Sequence, residues 1–188
     1  LILRGVVLMK MREKFEEALK EMIPLGKEIL DWMNAQPEAS GHEKQTCAYL
    51  VKKLSEHGYK VTSPVKRIKY SFLAKRKNSF EKKSKIAILC EYDAVEGVGH
   101  SCGHSASCAA SIICALALEA AYEDFPFDID LIGTPNEEIA GAKISMLEKG
   151  LFSSYEFAIL SQMSPVNSTC FHTLAASDLN VHFFGKTA

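Results

Sequence analysis

No run of this sequence is apolar for long enough to be read as a membrane span. The opening Leu1-Ile2-Leu3-Arg4-Gly5-Val6-Val7-Leu8 covers less than half of the roughly 20 residues required, and no later stretch reaches that length without charge. Charge of one sign is not in excess either: 22 basic residues face 23 acidic ones, which excludes the global signature of a nucleic-acid binder. Internal repeats, low-complexity segments and a secretory signal with a small-residue cleavage site are missing. The six cysteines lie mostly in apolar runs, so they read as reduced thiols in a cytoplasmic protein. Neither a membrane nor a nucleic acid is expected as a partner.

What is present is an alternation of strands and helices. Residues 1–10 are expected to be a non-native or disordered start, with Met9 or Met11 as the true beginning, and 11–188 to form the folded unit. From Met11 to Ala35, apolar residues such as Phe15, Leu19, Ile29 and Met33 keep a helical period, with a kink or break expected at Pro24. Ser40 and Glu43 have the spacing of a capping box, predicting a helix from Ser40 to about His57. Tyr59–Val65 and Ile68–Ala74 read as two strands joined around Pro64. Lys66 to Lys85 carries nine basic residues and one acid, Glu81; without interleaved aromatics it reads as a solvated hairpin rather than a phosphate-binding patch.

Three short apolar runs come next: Ile86–Cys90, Ile129–Ile132 and Phe157–Leu160. Runs of this kind suit strands buried on both faces of a parallel sheet. Helices are predicted between them, from Ser105 to about Tyr122 and from Ala140 to Lys149, the latter stopped by Gly150. The expected architecture is α/β and layered, with a central, mostly parallel sheet whose ligands gather at the carboxyl ends of strands. Beyond Phe171, Asp178–Phe184 reads as an alternating strand.

The chemistry concentrates at two of those strand ends. Glu91-Tyr92-Asp93 and Gly99-His100-Ser101-Cys102-Gly103-His104 follow the first run, and Glu137-Glu138 follows the second. Cys102 and His104, two apart across a glycine, can present a thiolate and an imidazole to one ion, a donor set that suits zinc or a similar borderline metal. Of two adjacent glutamates, one can bind the ion while the other takes a proton from its water. Each residue also has an ordinary use. Cys102 would pack as a small hydrophobe, either histidine would sit in a turn, Asp93 would cap one, and Glu137 would close a capping box with Thr134. Their conjunction at neighbouring strand ends favours the metal.

These motifs, with Gly133-Thr134-Pro135-Asn136 before the glutamates and Gly141 and Lys143 after them, resemble the amidohydrolase branch of the aminoacylase and carboxypeptidase-type dinuclear metallopeptidases. That branch includes hydrolases of aminobenzoyl-glutamate, N-acyl and indole-acetyl amino acids and some dipeptides. Gln36-Pro37-Glu38 with Gly41-His42-Glu43 is similar to its amino-terminal signature, and Phe184-Gly185-Lys186-Thr187-Ala188 to the start of its second, dimerising domain. The resemblance implies a zinc-peptidase-like three-layer domain that stops before the dimerisation domain. It implies Cys102, His104 and Glu138 as metal ligands, Glu137 as general base, and Asp93 and His100 as residues that support the ligands. It also implies one or two divalent ions, zinc or manganese, and an N-acyl amino acid or dipeptide as substrate. A homodimer, or association with a downstream polypeptide, would complete the site.

The chain departs from the pattern in three places. Ser164 stands before Pro165 where a histidine ligand is usual, with Gln162 and Met163 as poor substitutes. Glu96 stands where a proline is usual, and the downstream histidines belong to a part that this chain does not contain. Two readings result: the leading part of a longer or split hydrolase, or a paralogue that binds a small molecule or partner without catalysis.

Overall fold

The structure, a computed structural model, describes residues 2–76, 84–122, 125–169 and 181–186, with side chains from Met9 onward. Nine elements succeed one another: α1 (Ile2–Ala35), α2 (Lys44–Glu56), β1 (Tyr59–Thr62), β2 (Phe72–Arg76), β3 (Ser84–Cys90), α3 (His104–Ala121), β4 (Phe127–Gly133), α4 (Ala142–Glu148) and β5 (Phe157–Leu160). The strands form one sheet in the order β1-β2-β4-β3-β5. β3 is parallel to both β4 and β5, Ile86 standing opposite Ile129 on one side and Phe157 on the other. β1 and β2 continue the sheet antiparallel, with Phe72 opposite Gly133. The parallel centre is the expected one; the antiparallel pair makes the sheet mixed.

Alternation along the central strands divides the core into two layers, because successive side chains leave opposite faces. Ile86, Ile88, Cys90, Ile129 and Leu131 pack with Ile29 and Met33 of α1, Leu50 and Leu54 of α2, and Cys108, Ile112 and Leu116 of α3. Ala87, Leu89 and Ile132 pack on the other face with Val65, Met146 of α4 and Leu151. The result is a three-layer arrangement. Gly133 is required where β4 meets β2, since a Cβ there would lie 2.3 Å from the Phe72 ring.

α3 is long and apolar enough, by length and composition, to cross a membrane. In the fold it is the core helix, with Cys108, Ile112, Ala115 and Ala117 buried against α1 and the sheet. Of the remaining cysteines read as packing thiols, Cys47 is buried and Cys114 partly so, while Cys170 lies outside the described residues.

Four expectations are corrected. α1 continues through Pro24, so of the kink or break expected there the break is not formed; Ile29 and Met33 beyond it are fully buried and hold that segment in the core. The strands drawn around Pro64 are shorter and further apart: Lys66, Arg67 and Tyr70 have positive φ, which ends extended backbone, and the buried Ser71 hydroxyl holds the loop by bonding the Val65 amide and the Ile68 carbonyl. α2 opens at Lys44 rather than Ser40, and its Gln45 and Thr46 amides are capped by the Glu38 carboxylate, not by Ser40. The capping box is therefore not formed. The expected strand Asp178–Phe184 falls largely outside the described residues, and Val181–Phe184 have no regular structure. Much of the basic stretch, residues 77–83, also lies outside them.

Candidate metal centre

Two parallel strands that end side by side bring the chemical residues together. β3 ends at Cys90 and releases Glu91, Tyr92 and Asp93; β4 ends at Gly133, and the Thr134 amide still bonds the Cys90 carbonyl (2.8 Å). Tyr92 anchors the first segment, buried against Phe72 with its hydroxyl donating to the Tyr70 carbonyl. The chain then loops to Gly103, whose left-handed φ of 82° turns it into α3 and places His104 at the helix start. A side chain at Gly103 would collide with Met163 as well as strain the backbone.

Asp93 is the hub. Its Oδ1 accepts from His104 Nδ1 (3.0 Å), and its Oδ2 accepts from the Ser40 hydroxyl (2.6 Å) and the amides of Glu137 (2.8 Å) and Glu138 (3.0 Å). Burial by itself would raise this carboxyl, but the bonds from His104, Ser40 and the Glu138 amide outweigh it and bring it down to about 2. With Nδ1 engaged, His104 turns Nε2 toward the remaining donors, the carboxylate–histidine arrangement that orients a metal ligand. Burial lowers the His104 pKa, and Asp93 more than reverses this, so the net shift is upward.

Cys102, His104 and Glu138 offer ligand atoms all within 4.8 Å of one another, and Glu91, His104 and Glu137 do the same. Nε2 lies 3.4 Å from Glu91, 3.8 Å from Glu137 and 3.9 Å from Glu138. Two overlapping donor groups of this kind are consistent with a dinuclear divalent-metal site. Burial pushes the Cys102 thiol up to about 11, so a metal must displace its proton to gain a thiolate. Burial also raises Glu137, opposed by Lys143, which suits a group that must hold and release a proton.

Glu137 does not close a capping box with Thr134. It lies in a turn headed by Asn136, whose φ is 57°, and α4 begins only after Gly141. His100 sits beside the centre without a side-chain bond into it; its carbonyl accepts from the Gly103 amide, shaping the turn.

Sequence reasoning did not foresee the part that five residues play at this centre. Ser40 braces Asp93. Glu43, fully buried, accepts from the Gly41 (2.8 Å) and Asn136 (2.7 Å) amides and so pins the turn that carries the two glutamates. Glu91, fully buried, is ion-paired to Lys143, and its Oε2 accepts from Gln162 Nε2 (2.7 Å). The signals were available in the amino-terminal signature and in Lys143, but none assigned a role. Ser164 faces solvent and accepts from the Val166 amide (3.4 Å).

No family model matches the chain. It is 35% identical over 107 residues to the mouse protein named Xaa-Arg dipeptidase, a match covering 55% of this chain and 25% of that protein. It is 28% identical over 152 residues to one of the subunits of p-aminobenzoyl-glutamate hydrolase from Escherichia coli, covering 70% of this chain and 31% of that one. A Bacillus subtilis structure described as a dinuclear metal-binding peptidase of the M20 family superposes with a TM-score of 0.59 at 22% identity, over 76% of this chain and 42% of its own. The chain thus spans about a quarter to a third of the curated relatives it matches. Sequence similarity and an α/β domain that resembles the M20 peptidase catalytic fold together point to the zinc-peptidase and aminoacylase clan in general.

Proposed function

We propose that this chain supplies most of the catalytic domain of a metal-dependent amidohydrolase acting on an N-acyl amino acid or a dipeptide in the cytoplasm. One observation carries the reading: Cys102, His104 and Glu138 converge within 4.8 Å, with Glu137 adjacent and His104 oriented by Asp93. A thiol, an imidazole and a carboxylate fit a borderline ion, and the sulfur favours zinc over manganese. When bound, such an ion polarises a carbonyl and makes water nucleophilic near neutral pH. Cys102, His104 and Glu138 would hold it, Asp93 would fix the imidazole, and Glu137 would take a proton from the attacking water and return it to the leaving amine. The names of the relatives, a dipeptidase and an aminobenzoyl-glutamate hydrolase, support an amide bond beside a carboxylate as the substrate class. Because the chain covers a minor part of those proteins, a second domain, a second copy or a downstream polypeptide completes the site in this reading.

The test is zinc uptake by the purified chain, measured by elemental analysis. We expect bound zinc that falls sharply in Cys102→Ala; no bound metal in either protein would sink the proposal.

The competing reading is a non-catalytic binding protein. Gln162, at the end of β5, donates to Glu91 instead of supplying a ligand, and that favours it. Turnover of an N-acyl amino acid by the chain, alone or mixed with a downstream polypeptide, would eliminate this alternative.

A further inference from the structure

The two donor groups compete for one atom. His104 Nδ1 is engaged by Asp93, so only Nε2 is free to bind a metal, and its single lone pair can serve the Cys102–Glu138 side or the Glu91–Glu137 side but not both. On the Glu91–Glu137 side a cation is already in place. The Lys143 ammonium pairs with Glu91 Oε1 and lies 3.9 Å from Glu137 Oε1, between the two carboxylates that an ion there would need. The other Glu91 oxygen is taken by Gln162. Glu91 is wholly buried, and a carboxylate in that position requires a positive partner, which Lys143 supplies from the first turn of α4.

We infer that this centre takes up one divalent ion, through Cys102, His104 and Glu138, while the Lys143 ammonium stands in the place of a second. The inference rests on the proposed metal-binding reading and deepens it. Lys143 is here a positioning residue: it keeps Glu91 neutralised, leaves His104 Nε2 to the thiol side and bars the other pocket by charge. Removing the ammonium while keeping the length of the side chain frees the Glu91 and Glu137 carboxylates to hold a second ion between them without the imidazole, with Gln162 displaced from Glu91.

The experiment titrates zinc into the chelator-stripped full chain by calorimetry, with circular dichroism as the check on folding. The wild-type chain is expected to bind one equivalent. Lys143→Met is expected to gain a second, at least about tenfold tighter than any second uptake by wild type, and Lys143→Arg to stay at one. Two equivalents of similar affinity in wild type would overturn the inference, as would a folded Lys143→Met that stays at one. Should Lys143→Met not fold, the wild-type stoichiometry decides alone. Failure of every protein to bind zinc would instead overturn the metal-binding reading beneath it, so the two failures are distinguishable.

Discussion

The carboxyl ends of β3 and β4 are built differently from that of β5. β3 and β4 have a strand on each side and a layer on each face, and their central residues are almost wholly buried. They deliver Glu91 to Asp93 and Asn136 to Glu138 on backbone that is tied down by Asp93, Glu43 and the Thr134–Cys90 bond. Among the described residues β5 has β3 on one side only, and Phe157 and Ile159 are each 46% exposed. Among the described residues, the segment after β5 reaches the centre through a side-chain bond from Gln162 and the packing of Met163 on Gly103. Two-sided burial fixes a strand end closely enough to bring candidate ligands together; one-sided pairing leaves an edge that contributes a brace.

Four measurements would break or sharpen this contrast. The largest effect is expected at the fixed ends themselves: His104→Ala removes the ligand shared by both donor groups and should weaken zinc binding by more than about 100-fold, whereas Gln162→Ala should leave uptake of the first ion within about threefold. Calorimetric titration checks both, and equal losses would end the distinction.

Stability should divide the same way. Leu131→Ala in β4 is expected to cost about 2–5 kcal/mol, as truncations in closed cores do, against about 0.5–1 kcal/mol for Ile159→Ala in β5. Urea unfolding measures both, and similar values would show that the edge is covered in solution.

A third effect is a pH dependence. The Asp93 carboxyl is depressed from its usual 3.8 to about 2, so in the metal-free protein its contribution is complete above pH 3.8 and is lost as the pH falls through about 2. The loss should be about 2 kcal/mol, and Asp93→Asn should flatten that part of the acid unfolding profile. An unchanged profile would refute the role of Asp93 as hub.

The smallest effect is expected from Ser40→Ala, which removes one bond to Asp93 but leaves three donors. About 1 kcal/mol of stability should be lost, with little change in zinc affinity. A loss of zinc binding as large as that in His104→Ala would mean that the brace is indispensable to the ligands.

The sequence made the centre partly legible for a physical reason. Ile86–Cys90 is a continuous apolar run and Ile129–Ile132 one broken only by Asp130; they end abruptly at charge and glycine, so their ends could be located and the residues beyond them suspected. β5 was located equally well, but its exposure was not foreseen, because an apolar tetrapeptide looks the same at an edge as in the middle of a sheet. Ser40 and Glu43 were misread because a local rule accounts for the same spacing; the structure spends both on partners about 50 and 90 residues away. Lys143 and Gln162 were noticed in the sequence, but their partner was not, since each acts on Glu91 across a long separation. Asp93 was placed beside the ligands by resemblance, yet its hold on two backbone amides of the other strand end could be seen only once the strands were paired.

The bond from Ser40 to Asp93 bears on the order of folding. It joins the segment between α1 and α2 to the end of β3, and Glu43 joins that same segment to the end of β4. Contacts of such sequence separation form late, because the intervening chain must first lose its freedom. The ladder that sets Cys90 opposite Gly133 places the strand ends side by side, and residues 40–43 act on the turns beyond them, so the docking of that segment is expected to bring Asp93 and the Asn136 turn to their final positions. Zinc uptake in a refolding experiment would then report the docking of the amino-terminal segment, and would lag behind the appearance of secondary structure.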